Sequence, residues 1–259
     1  MSACLAGSLA SALASFEKAH YPFKNYRHAH AESVLFAGCN AVSLYPQTVA
    51  AAAHMLYDAA GVGVAYDCCG MPTALHGPAG ASGRAARVTD GVERRLMACG
   101  AREVVVLCPN CGAHLRVYSD LRVVNVYAKL RELGLGGRLV ADGAVFVPCP
   151  DRKDRAWLGD VLPFFDGKPS IPTRVPCCGL GAGAGYGNPD AMYAMAQRAV
   201  SSCRAEAPGA PYVYCASCAG SFARHGCADV RYVLAEILGT HEAPQVSRSL
   251  MNRASSKFR

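Results

Sequence analysis

The chain has 259 residues, 52% hydrophobic and 17% charged, which is room for one large domain or two small ones around a buried core and excludes a disordered or fibrous chain. Fourteen cysteines in so apolar a sequence point to thiolates held for metal, since disulfide staples belong to small, core-poor secreted scaffolds. The formal charge of +7 would fall with metal-bound thiolates, and the basic residues are scattered outside the tail at 248–259, so no nucleic-acid partner is indicated.

Residues 1–32 read as an N-terminal leader. Its start, MSACLAGSLASALASF, lacks the basic region of an export signal, and its apolar run breaks at Glu17 and Lys18. A helix packed on the first domain and a cytoplasmic location are expected. No stretch approaches the ~20 apolar residues that span a bilayer. His20, His28 and His30 lie among aromatic residues. A polar surface is the expected place for the His28/His30 pair, with metal binding as the alternative.

Residues 33–38 (SVLFAG) form an apolar run that reads as a buried strand ending at Cys39. Pro46 opens an alanine-rich helix that Gly61 stops. A strand at 62–66 leads to the doublet Cys68-Cys69-Gly70. A helix at 84–99 precedes a strand at 103–107, which ends in Cys108-Pro-Asn-Cys111. A short strand at 121–126 and a helix complete the first half, and Gly134-Leu-Gly-Gly137 marks a boundary.

The second half repeats the pattern. A strand at 144–147 leads to Cys149, and a short strand at 174–175 leads to Cys177-Cys178-Gly179. A helix is expected at 189–205. A strand at 211–214 ends in Cys215-Ala-Ser-Cys218, and residues 229–239 match the end of the first half. The spacings nearly coincide: Cys39 to Cys68 is 29 residues and Cys149 to Cys177 is 28. Cys69 to Cys108 is 39 and Cys178 to Cys215 is 37. Such agreement indicates an internal duplication that builds two metal sites. The expected fold class is therefore α/β, as two homologous domains (33–137 and 138–240) related by pseudo-twofold symmetry. Each is a small, mainly parallel sheet flanked by helices, and a basic, solvated C-terminal tail follows at 241–259.

Each cysteine group falls past the C-terminal end of a predicted strand, where ligands of open α/β sheets sit. A Cys-x-x-Cys turn brings two sulfurs within reach of one centre. Adjacent cysteines of a strand point to opposite faces, so a doublet serves one centre only if the backbone turns, and Gly70 and Gly179 supply that freedom. Five cysteines per half are one more than tetrahedral zinc uses, which favours an iron–sulfur cluster. Zinc in one half, with an idle cysteine, is the alternative.

Cys39…Cys68-Cys69-Gly70…Cys108-x-x-Cys111 and its repeat resemble the tandem CCG, or cysteine-rich, domain found in the free-standing CCG subunit of heterodisulfide reductase. Related modules occur in iron–sulfur subunits of glycolate and lactate oxidation systems and in thiol-dependent fumarate reductases. The resemblance spans roughly residues 33–240. It implies an oxidoreductase subunit with two [4Fe–4S] clusters of the non-cubane kind. Their ligands would be Cys39, Cys68, Cys69, Cys108 and Cys111 in one half and Cys149, Cys177, Cys178, Cys215 and Cys218 in the other. In the family the clusters flank a small disulfide, which is split as electrons arrive singly. The Cys-x2-Cys-x2-Cys-x3-Cys run of members with a fused ferredoxin module is absent. The implied partners are thus a ferredoxin-like iron–sulfur subunit and the flavoprotein that feeds it. The intact Cys-Ala-Ser-Cys favours this branch over lactate utilisation, whereas Leu44-Tyr45-Pro46 leans the other way. Two other readings stand beside it: an electron-transfer subunit of a flavin-dependent lactate or glycolate dehydrogenase, and a zinc-stabilised scaffold.

The remaining features have plainer readings. The loop 179–187 (GLGAGAGYG) fits a nucleotide-binding frame, but it opens on two cysteines and has no acidic residue placed for a ribose. It reads as a cluster loop, with Gly181 beside Gly70 and Gly179 as close-approach positions. Cys4, Cys99, Cys203 and Cys227 fall outside the pattern and read as small buried hydrophobes, Cys227 being the first reserve ligand. His76, His114 and His225 follow cysteine motifs closely. They are candidates for hydrogen bonds to cluster sulfur or protons to a leaving thiolate, against the plainer reading of loop histidines.

Overall fold

In the computed structural model, residues 30–71, 81–173, 177–180 and 188–256 are described. The leader up to residue 29, His20, His28, His76, Gly181, Cys4 and the expected strand at 174–175 lie outside them.

The first half is a parallel sheet of β1 (Ser33–Phe36), β2 (Gly63–Ala65), β3 (Glu103–Val106) and β4 (Arg122–Asn125), ordered β2-β1-β3-β4. The central strands, SVLF and EVVV, are apolar without alternation because helices cover both faces of such a sheet. Those helices are α1 (Cys39–Leu44), α2 (Pro46–Ala60), α3 (Ala81–Ala98), α4 (Pro109–Tyr118) and α5 (Val126–Glu132). Gly61 closes α2 in the left-handed conformation, φ 63°, returning its N–H to the carbonyls of Leu56 and Tyr57. Asn125 caps α5 by accepting the Ala128 N–H at 2.9 Å, a contact worth about 1 kcal/mol.

In the second half β5 (Leu139–Val140) pairs with β7 (Phe165–Asp166). A second parallel sheet runs β6 (Val145–Phe146), β8 (Tyr212–Val213), β9 (Arg231–Tyr232). Its order matches β1-β3-β4: a strand leading to a single cysteine, one leading to Cys-x-x-Cys, and one entering the final helix. The helices here are α6 (Ala156–Val161), α7 (Pro189–Glu206), α8 (Ala216–Arg224) and α9 (Val233–Ile237). The protein is thus mixed α/β, with parallel sheets flanked by helices. Among the described residues no helix is long and apolar enough to cross a membrane.

One apolar core serves both sheets, running from Val34 to Ile237. Tyr127 on α5 stands edge-on to Trp157, Phe164 and Tyr214 of the second half. Two glycines let helices approach closely. A Cβ on Gly112 would lie 2.9 Å from Trp157 Cζ2, and one on Gly220 would lie 2.4 Å from Leu44 Cδ1.

Two expectations are corrected. The Cys-x-x-Cys segments are first turns of helices rather than isolated tight turns, with Cys108 and Cys215 as extended N-caps of α4 and α8. The C-terminal segment is not a solvated tail over its described residues. Helix α10 (Ser249–Ser255) packs on α1, and Glu242 reaches back to the start of α2. Its carboxylate accepts the Thr48 N–H and the Thr48 hydroxyl at 2.8 Å each and the Gln47 N–H at 3.3 Å. The reason is local: Tyr45 precedes α2 and offers no side-chain cap, so the orphan donors of the first turn need an outside acceptor. Asn252 Nδ2 and the Gln245 N–H then bind the Ser43 and Leu44 carbonyls.

Candidate metal centre

Parallel strands bring their C-terminal ends to one edge. Neighbours β1, β2 and β3 therefore deliver Cys39, the 68–69 doublet and Cys108/Cys111 to one place, and β6 and β8 deliver Cys149 and Cys215/Cys218 to another. Cys39 and Cys68 pack together, with Tyr66 against them. Cys69 accepts hydrogen bonds from Cys111 and Cys68, which hold its thiol well below the ordinary range. Bonds to Cys108 and Cys69 push Cys111 up.

Sulfur contact continues into the second half. Cys108 is bonded to Cys111 and to Cys215, and its thiol is pushed up to about 12. Cys215 accepts from Cys108 and Cys218 and is held well below the usual thiol value. Its place at a helix N-terminus favours the anion in the same sense. Cys218 meets Cys178, Cys178 meets Cys177, and Cys177 meets Cys149, raising Cys218, Cys178 and Cys149. Nine of the ten cysteines thus form one continuous hydrogen-bonded string, 68-69-111-108-215-218-178-177-149, with Cys39 against its first member. Among the described residues no three Cys, His, Asp or Glu side chains form a group that could hold a metal ion as they stand.

The backbone around the string is built for close approach. Gly70 and Gly179 have φ of 84° and 81°, the left-handed region that frees the doublets to turn. A Cβ on Gly179 would lie 2.8 Å from the Met192 carbonyl oxygen. The sequence pattern did not single out Gly38, which has φ 72°; a Cβ there would meet Cys111 Sγ at 3.2 Å.

Each doublet is also held by a side chain one turn along the helix that starts at the Cys-x-x-Cys. Ser221 Oγ donates to the Cys178 carbonyl at 2.6 Å. His114, at the corresponding place three residues past Cys111, bonds the Cys69 carbonyl. Thr89 Oγ1 donates to the same carbonyl at 3.0 Å and meets His114 Nε2 at 2.9 Å. With the hydroxyl proton directed at the carbonyl, Nε2 carries the ring proton. Burial holds His114 below the ordinary histidine value. His114 therefore touches the doublet backbone. His225 lies elsewhere, edge-on to Tyr193 at 5.7 Å. His30 is exposed. Cys227 donates to Asp229 at 3.4 Å and neighbours Cys203, away from the string.

Two buried aspartates were not among the residues expected from sequence. Asp67, just before Cys68, pairs with Arg95 of α3 at 3.1 Å. Asp151, two residues past Cys149, accepts the Trp157 and Leu158 N–H groups at 2.9 Å and the Tyr214 hydroxyl at 2.6 Å. Tyr214 adjoins Cys215, so Asp151 braces both ends of the second set. Their proximity in sequence to cysteines was the only available signal.

Residues 33–116 match the family model CCG, described as cysteine-rich domain. No match was found among curated proteins. The matched stretch holds the complete first sulfur set and three of the four strands of its sheet, a donor set suited to iron–sulfur binding and electron transfer. Over residues 33–116 the chain is similar to the CCG cysteine-rich domain family.

Proposed function

We propose that the chain is an iron–sulfur oxidoreductase component, similar to the free-standing CCG subunit of heterodisulfide reductase, that reduces a small disulfide within a complex. The observation that carries this reading is the sulfur string through Cys108 and Cys215, ending at the exposed Cys149. A single ion needs about four sulfurs around one point. An extended string of mutually bonded sulfurs suits several metal atoms instead. The donor set fits that demand in kind and number: Cys39, Cys68, Cys69, Cys108 and Cys111 would hold one [4Fe–4S] cluster, and Cys149, Cys177, Cys178, Cys215 and Cys218 the other. Bound there, the clusters supply one-electron redox chemistry. The two halves would then be related by a pseudo-twofold axis through the Cys108–Cys215 contact.

Cleaving a disulfide to two thiols takes two electrons and two protons. The opening at Cys149, flanked by Arg152, gives a substrate an approach to the second set. Electrons would come from a ferredoxin-like subunit fed by a flavoprotein, in the cytoplasm. The open end also weighs against a pure electron-transfer role beside a flavin dehydrogenase, which needs no substrate access.

Anaerobic purification with iron and sulfide analysis and EPR tests the reading. Two paramagnetic centres are expected, and Cys178→Ser should remove one and leave the other. A colourless protein carrying only zinc, or an unchanged iron count in Cys178→Ser, would overturn it.

A further inference from the structure

Cys39 rests on one short helix. α1 has six residues, Cys39–Leu44, too few to be stable by itself in water. Its N-cap, Gly38 at φ 72°, gives it no side-chain cap. What holds α1 comes from distant parts of the chain. Asn252 Nδ2 donates to the Ser43 carbonyl at 3.0 Å, and the Gln245 N–H donates to the Leu44 carbonyl at 2.9 Å. The C-terminal segment 240–256 thus satisfies carbonyls that the end of α1 leaves open. Near the other end, Asn40 Nδ2 donates to Ser217 Oγ at 2.5 Å.

The segment is fastened mainly by polar groups. Glu242 accepts from Thr48 and Gln47 on α2 and from Gln245 Nε2 at 2.8 Å. Gln245 Oε1 in turn accepts from Asn252 Nδ2 at 2.9 Å, and Thr240 Oγ1 meets Thr48 Oγ1 at 2.9 Å. Glu242, Gln245 and Asn252 therefore make one polar chain from the start of α2 to the end of α1. Arg253 and Ser256 are buried, and Val246 packs partly buried on the core. Leu250 and Met251, the large apolar side chains of α10, are instead 53% and 62% exposed. His241 turns the chain toward α2 in the left-handed conformation, φ 46°, which a residue with a side chain adopts at a cost. Polar contacts exchange for water with little net loss, whereas unpacking apolar surface does not. Such a segment opens well before the core beneath it.

We infer that segment 240–256 is a strap whose release lets α1 lift Cys39 out of the first sulfur set, with Glu242 and Asn252 as the positioning residues that keep it closed. Lifting α1 also uncovers Cys68, which packs against Cys39. Cys108 stays in place, because it caps α4 at the end of β3. The strap is thereby the gate through which the first set is loaded. That role in loading rests on the iron–sulfur reading above; the exposure of Cys39 on release does not.

The experiment labels the metal-free full chain with a small alkylating reagent at rising urea and reads each cysteine by peptide mass spectrometry. In the wild type, labelling of Cys39 should depend on urea less steeply than labelling of Cys108, because strap release exposes less surface than unfolding. Without urea, Glu242→Ala should label Cys39 about 10-fold faster and Asn252→Ala about 5-fold faster. Val161→Ala, in the core at α6, weakens the strapped and released states alike. It should speed Cys108 and leave Cys39 unchanged. Equal urea dependence of the two cysteines, or a Val161→Ala variant that speeds both equally, would overturn the strap even where the Glu242 variant fails to fold. In the iron-loaded chain, Glu242→Ala should surrender the iron of one set to a chelator faster than the wild type, and equal rates would overturn the role in loading. A wild type that takes no iron overturns the iron–sulfur reading instead, and the labelling of the metal-free chain still decides the strap.

Discussion

All five cysteines of the first set are buried, whereas the second set runs from Cys215, wholly buried, to Cys149, which is exposed, with Cys177 between the two. The sheets and sulfur spacings are alike, so the difference comes from the segment after each single cysteine. Cys39 opens α1, and α10 of the C-terminal segment packs on that helix. Cys149 opens only a short 3-10 turn, Cys149–Asp151. The supports diverge as well. The first doublet carbonyl is held by Thr89 and His114, the second by Ser221 alone among the described residues. Two similar sulfur spacings thus end in one buried set and one partly exposed set.

Selective thiol chemistry should separate the sets most widely. In the metal-free folded chain, a small alkylating reagent followed by peptide mass spectrometry should label Cys149 and Cys177 at least about 10³-fold faster than the first set, which reacts only after opening. Uniform labelling would erase the distinction. Next in size is Asp151→Ala, which strands two backbone N–H groups and the Tyr214 hydroxyl. Denaturant unfolding should show a loss of about 4 kcal/mol, and metal uptake should fail first in the second set.

Gly38→Ala tests the first set in the same way. Gly61 shares a positive φ but has nothing within 4 Å, whereas Gly38 faces Cys111 Sγ. Both variants should lose about 1 kcal/mol from backbone strain. Only Gly38→Ala should lose more, about 2 kcal/mol in all, and disturb sulfur ligation.

The smallest effect concerns Glu103, at the start of β3. Burial alone would raise its carboxyl, but Ser33 Oγ at 2.7 Å and Lys129 Nζ at 3.1 Å outweigh that, holding it below 4.5. A depressed carboxyl stabilises fully above its unfolded pKa and loses that contribution as pH falls through the folded value. Lys129→Met should therefore flatten the acid limb of stability below about pH 4.5, by under about 1 kcal/mol after solvent screening. An unchanged slope would remove the pair from the account.

Much of this was legible because the relevant patterns are local. The apolar runs before Cys39, Cys108 and Cys215 mark buried parallel strands, and a parallel sheet dictates that their ends converge. Pro46 and Gly61 bound α2 by backbone chemistry alone. The Cys108–Cys215 contact was not legible, since it depends on how two sheets pack through a shared core. Nor was the helical start at each Cys-x-x-Cys, where the motif suggested a tight turn. Gly38 looked like the end of a strand until Cys111 was seen against it. The role of Glu242 was hidden by distance: nothing near Tyr45 signals that its cap lies 194 residues away from Thr48.

That remote cap has a consequence for how the protein is made. A chain emerging from the ribosome exposes α2 long before residue 242 exists, and until then the first turn of that helix has no acceptor for Thr48 or Gln47. The helix that begins at Cys39 likewise waits for α10 to cover it. The covering of the first set is therefore completed only after the second set has been synthesised, which leaves an interval in which the inner thiols can still be reached.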